Sequence, residues 1–120
     1  MTAADTAGTK SKLMCQHLVL SSKGGTLISR CPGCRTINIW QHNLLLNFSA
    51  KQFLAFKQFT GGMDTAEALF PFPDGEDRFV LRTPHTDISF AFTEEEWEDF
   101  SAAMEEAEYM INIYQMLEEK

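Results

Sequence analysis

Short runs of β-branched and apolar residues fill the first half of the chain, and a long 3-4 spaced pattern fills its end. Met14 to Leu20, Thr26 to Arg30 and Thr36 to Trp40 read as strands, with turn-rich residues between them. Ser21-Ser22-Lys23-Gly24-Gly25 is the turn that folds the first strand onto the second as a hairpin. At the other end, Trp97, Phe100, Met104, Ala107, Ile111 and Tyr114 form a narrow helical seam that predicts a helix from Glu94 to about Glu118. At 1.5 Å per residue that helix is about 37 Å long. It exceeds the diameter of roughly 28 Å expected for a domain of this length.

The pattern also repeats. Residues 43–56 align without gaps on residues 87–100, and both segments change from strand to helix at a hydroxyl residue. Ser49 with Gln52, and Thr93 with Glu96, have capping-box spacing. Phe48 with Phe53, and Phe92 with Trp97, stand where a hydrophobic staple would close each cap. Upstream, Thr36–Trp40 and Arg78–Arg82 supply a second strand to each copy, across turns that hold His42 and His85. Generic cap chemistry in two unrelated segments is the competing account, and it leaves the strand-strand-helix assignment intact. The expected fold class is α+β: a zinc-ribbon-like N-terminal hairpin, then two tandem β-β-α repeats forming one antiparallel sheet with both helices on one face.

The corresponding boundaries are a disordered tail over 1–11 and a single domain over 12–120. Within it, a metal-ribbon hairpin spans 12–35 and the first ββα unit 36–62. A connecting loop spans 63–77, and the second unit, with the long helix, 78–120. The first helix should run from Ala50 to about Thr60 and stop at Gly61-Gly62, a pair suited to a left-handed C-cap. Asp64 with Glu67 marks one further helical turn, and Phe70 to Asp77 reads as loop.

All three cysteines and one of the three histidines fall between Cys15 and Cys34. Cys15-x-His17 on a strand points both side chains to one face. Cys31-Pro32-Gly33-Cys34 is a turn that lets two sulfurs converge. Folded together by the hairpin, Cys15, His17, Cys31 and Cys34 are the donor set of a tetrahedral Cys3His zinc site, with zinc as the expected cofactor. Four protein donors leave no open position, so the expected role is structural. Packed cysteines without metal are the plain alternative. A disulfide framework is disfavoured by the odd cysteine count and by a polar start, Met1 to Lys10, with no apolar stretch of a secretory signal; the chain reads as cytoplasmic. Thioredoxin-type redox chemistry wants its cysteine pair at a helix start, and here a strand follows. If His17 is not a ligand, His42 or His85 could take its place, and an open three-ligand site would revive a catalytic reading.

Charge divides the chain. Residues 1–57 hold seven basic and one acidic residue, whereas 58–120 hold three basic and sixteen acidic. Lys12, Lys23, Arg30 and Arg35 are the candidates for phosphate contact in a nucleic-acid-binding ribbon. A pI near 4.8 and an acidic last helix count against it. Pairing of the basic ribbon with that helix, within one chain or between two, is equally plausible. Near the end of that helix Tyr109 to Leu117 is apolar almost all round, so Met110, Ile113, Tyr114 and Leu117 are the expected contacts to a protein partner or a second copy. Alternatively, the rest of the domain wraps both faces.

No Gly-rich phosphate loop or nucleophile context supports an enzyme, and no apolar run approaches a membrane span. A zinc-stabilised binding or adaptor domain is therefore preferred to a nucleic-acid module, and both to a metal-dependent enzyme.

The order Cys-x-His, Gly-containing hairpin, Cys-x-x-Cys, strand pair and Phe-x-x-Phe helix, with Leu46-Asn47-Phe48-Ser49 at the strand-helix junction, resembles a family of small uncharacterised bacterial proteins. That family is found especially in Bacteroidetes and known as a domain of unknown function. The resemblance covers about residues 13–100. It implies a cytoplasmic single-domain protein with Cys15, His17, Cys31 and Cys34 as shared ligand candidates, and no activity.

Overall fold

The computed structural model describes residues 17–62 and 69–118. The tail expected over 1–11 and the helical turn expected from Asp64 lie outside them. Four strands follow in chain order as an antiparallel meander: β1 (Leu18–Lys23), β2 (Thr26–Cys31), β3 (Thr36–Gln41) and β4 (Leu44–Ser49). Gly24-Gly25 and His42-Asn43 are two-residue turns, the first favoured by Gly24 at φ 54° and the second carrying His42 at φ 58°. Helix α1 (Ala50–Gly61) starts directly from β4. A second antiparallel sheet follows, in the order β5 (Leu69–Pro71), β6 (Asp77–Arg82) and β7 (Ser89–Phe92). Helix α2 (Glu94–Glu118) ends the described chain.

Both strand-to-helix junctions close as their local chemistry dictates. Ser49 Oγ accepts from the Gln52 N–H at 3.1 Å while Gln52 Oε1 accepts from the Ser49 N–H at 2.9 Å. Thr93 and Glu96 make the same reciprocal pair at 3.2 and 2.9 Å. Phe48 meets Phe53 edge-on with ring centroids 6.4 Å apart, and Phe92 meets Trp97 at 6.1 Å. The C-terminus of α1 differs from expectation: Gly62 has φ −93°, and its N–H returns to the carbonyls of Phe59 and Thr60, so no left-handed residue is used.

The expectation of one sheet is corrected to two. Each sheet is assembled from chain-adjacent neighbours: β2 pairs with β3 along its whole length, and β5 with β6. Short connections close at lower entropic cost than the long ones a joined sheet requires. The β1–β2 hairpin is the first half of a four-stranded meander. Leu69–Pro71, read as the start of a loop because of its prolines, is an edge strand, the position where proline is tolerated.

Both helices pack on one face of the four-stranded sheet, α1 against β3 and β4, α2 against β1 and β2. Ile28, Ile37, Ile39, Leu46 and Phe48 point inward to meet them. A bulge between Val19 and Ser21 keeps both Leu20 and Ser21 buried, and Ser21 Oγ donates to the Ala103 carbonyl at 2.7 Å. The first turns of α2 close the second sheet. Phe100, fully buried, touches the rings of Phe56, Phe90, Phe92 and Trp97, and so joins α1, β7 and α2 in one aromatic core. Every residue of the expected seam, Trp97 to Tyr114, faces this core.

Candidate functional site

Among the described residues, no helix packs on the opposite face of the first sheet. Cys31 on β2, Asn38 and Trp40 on β3, and Asn47 on β4 point to it. A polar row crosses this face: Ser29 Oγ donates to Asn38 Oδ1 at 3.5 Å, and Asn38 Nδ2 donates to Asn47 Oδ1. Beside the row a groove of about 410 Å³ is lined by His17, Cys31, Cys34, Asn38, Trp40 and Asn47.

The structure therefore brings three of the four expected metal ligands to one groove. Cys15 lies outside the described residues. Among the described residues, no group of three or more His, Cys, Asp or Glu side chains is gathered closely enough to hold a metal. Local geometry at the cysteine turn nonetheless suits a sulfur ligand. The Cys34 N–H donates to Cys31 Sγ at 3.4 Å, and the Arg35 N–H closes the turn on the Cys31 carbonyl at 2.7 Å. Arg35 completes the turn at φ 60°, in the left-handed region that favours glycine.

His42 and His85, the substitute ligands, line other cavities. His42 lies over the β1–β2 turn, where a Cβ on Gly25 would fall 2.7 Å from its Cε1, and its Nε2 is 3.9 Å from Glu96. His85 sits in the β6–β7 turn.

Basic residues of the first half are largely paired with α2. Lys23 reaches Glu106 at 3.7 Å, and Arg30, 7% exposed, pairs with Glu118 beneath the Tyr114 ring, 5.5 Å from its centroid. Lys57 holds Glu105 at 3.1 Å and Glu108 at 2.9 Å. The hydrogen bond that Lys57 donates to Glu108 raises the Lys57 pKa above its usual value against the opposing effect of burial, with Glu105 adding to the rise. Of the four cations expected to meet nucleic acid, Lys12 is outside the described residues, Lys23 and Arg30 are ion-paired, and Arg35 remains exposed on the cysteine turn.

The end of α2 is divided between two environments. Met110 and Tyr114 lean on the core, whereas Tyr109, Met116 and Leu117 are 65%, 66% and 57% exposed. Sequence reasoning did not identify a second cavity, a cleft of about 510 Å³ between α1 and the β6–β7 turn, lined by Leu46, Phe56, Phe59, Arg82, Pro84 and His85. Its walls come from segments distant in sequence, and the one local signal is an aromatic, Phe59, on the outer side of α1.

Among the described residues, no helix is long and apolar enough to cross a membrane. Comparison with protein families, curated proteins and solved structures finds no match to this chain.

Proposed function

We propose that this chain is a zinc-stabilised binding domain that acts through protein–protein contact, with a second copy of itself as the partner that α2 fits best. One observation carries the reading: Tyr109, Ile113 and Met116, at i, i+4 and i+7, form a second apolar stripe on the side of α2 away from the core seam, with Leu117 at its edge. Of the contacts expected from sequence, Ile113 and Leu117 belong to this stripe, and Met110 and Tyr114 are given up to the core.

No Asp, Glu, Lys or Arg lies between Tyr109 and Leu117. Of the acidic residues that flank this stretch among the described residues, Glu105 and Glu108 are held by Lys57, Glu106 by Lys23 and Glu118 by Arg30. A face without charge meets its own copy across a two-fold axis without like-charge repulsion, which a charged face does not.

The structural half of the proposal assigns zinc to Cys15, His17, Cys31 and Cys34. It is supported by the shared groove and by the N–H directed at Cys31 Sγ. Bound there, zinc ties the cysteine turn to the strand that precedes it and supplies no open coordination site. The tandem ββα reading is supported by the two capping boxes.

Sedimentation velocity at tens of micromolar tests the contact. A dimer that becomes monomeric in Met116→Glu is the expected result. A wild-type protein that stays monomeric at that concentration overturns self-association.

A further inference from the structure

The cleft between α1 and the β6–β7 turn has an apolar floor and a basic rim. Leu46, Phe48 and Phe56 form the floor, with Phe59, 52% exposed, as one wall. Arg82 and His85 stand on the opposite side, and among the described residues no carboxylate lines the cavity. In a chain of net charge −7 this is an unusual local balance. Lys23, Arg30, Lys57 and Arg78 each carry a carboxylate partner, and Arg82 has none among the described residues.

Both sides of the cleft are held before any ligand arrives. Buried Thr83 fixes the turn: its hydroxyl accepts from the His85 N–H at 3.1 Å and lies 2.8 Å from the Ile88 carbonyl, while the Ile88 N–H returns to the His85 carbonyl at 3.0 Å. Across the cleft, Phe56 stacks on Phe48 with centroids 5.3 Å apart, and Gln52 is held in the capping box. A preformed cavity of this size, mostly apolar with a few polar groups on one side, is the usual form of a small-molecule site, and pre-organisation lowers the cost of binding.

We infer that this cleft binds a small amphipathic carboxylate, its apolar body against Phe56 and Phe59 and its anion on the guanidinium of Arg82. A guanidinium grips a carboxylate through two parallel hydrogen bonds, which an uncharged analogue cannot form. The site contains no proposed zinc ligand and no residue of the apolar α2 stripe, and of its lining only Asn47 also borders the cysteine groove.

Equilibrium dialysis with 2-naphthoate and the uncharged 2-naphthalenemethanol tests the inference. The wild-type protein should bind the acid about tenfold more tightly than the alcohol. Arg82→Gln should abolish that preference, and Phe59→Gln should weaken both compounds. Arg82 and Phe59 are exposed, so neither change threatens the fold, and circular dichroism verifies this. Lys51→Gln, which removes an exposed α1 cation outside the cleft, should leave the preference intact. Equal binding of the two compounds, no binding at millimolar concentration, or an equal loss in Lys51→Gln would each overturn the assignment.

Discussion

Gly24 approaches Asp99 so closely that a Cβ on the glycine would fall 2.2 Å from the carboxylate oxygen. The tip of the β1–β2 hairpin is thereby seated on α2, with Lys23 beside it reaching Glu106. Gly24→Ala adds both this clash and the cost of a side chain at positive φ, and should destabilise the protein by about 2 kcal/mol. Asp99→Ala in the same chain should recover the part due to the clash. Urea denaturation of the two single variants and the double variant measures the coupling, and strict additivity would show that the tip does not touch the helix.

Ser21 connects the first strand to the last helix through one hydrogen bond to the Ala103 carbonyl. Ser21→Ala should cost about 1 kcal/mol, the ordinary net worth of a buried hydrogen bond. Because valine adds bulk at this buried position, Ser21→Val should be worse than alanine. Midpoints of urea unfolding give both values.

The elevated pKa of Lys57 sets a pH window. A lysine whose folded pKa lies above its ordinary value of 10.5 contributes its full stabilisation below that value and loses it as pH rises through the raised one. Lys57→Met should therefore be less stable than wild type by about 1 kcal/mol at neutral pH, with the difference shrinking only above pH 10.5. Thermal unfolding of both proteins across that range checks the direction. A gap already closed at pH 9 would separate the difference from the lysine charge.

Asp74 behaves in the opposite sense. Its carboxyl is held below the ordinary 3.8, first by the hydrogen bond from Arg78 and next by the Glu76 N–H. The stabilisation it provides is present above that ordinary value and lost as pH falls through the lowered one. In an NMR titration, Arg78→Gln should move the Asp74 midpoint upward, back toward 3.8.

Metal content is the most direct test of the cysteine cluster. Protein purified without added metal should carry about one zinc per chain, and Cys34→Ala should lose it together with the folded N-terminal hairpin. Fully folded, metal-free protein with reactive thiols would refute the assignment.

What was legible in the sequence was what local chemistry decides. Ser49 and Gln52 are three residues apart, and so are Thr93 and Glu96, so each helix start could be read from a short window. His17, Cys31 and Cys34 line one groove, as a hairpin between them allows, but His17 lies just before β1 rather than in a strand. Competition between distant segments was not legible. That β2 would join β3 and β5 would join β6, with β4 and β7 left as edges of two sheets where one was expected, depends on pairings outside either repeat's own window. Likewise, Met110 and Tyr114 could not be told from Tyr109 and Met116 in a helix end apolar on every side. The Phe59–Arg82 cleft is created by that same splitting, since its two walls belong to different sheets' neighbourhoods.

The inner face of the four-stranded sheet is closed by a helix synthesised well after it: Ser21 bonds to Ala103, and Arg30 pairs with Glu118. A chain leaving the ribosome therefore presents Leu20, Ile28 and Ile39 on an uncovered sheet until α2 has emerged. Contacts of such long separation slow folding and prolong the aggregation-exposed interval. Production at lower temperature, or with chaperones that bind exposed strands, should raise the soluble yield more than any change at the surface of the finished domain.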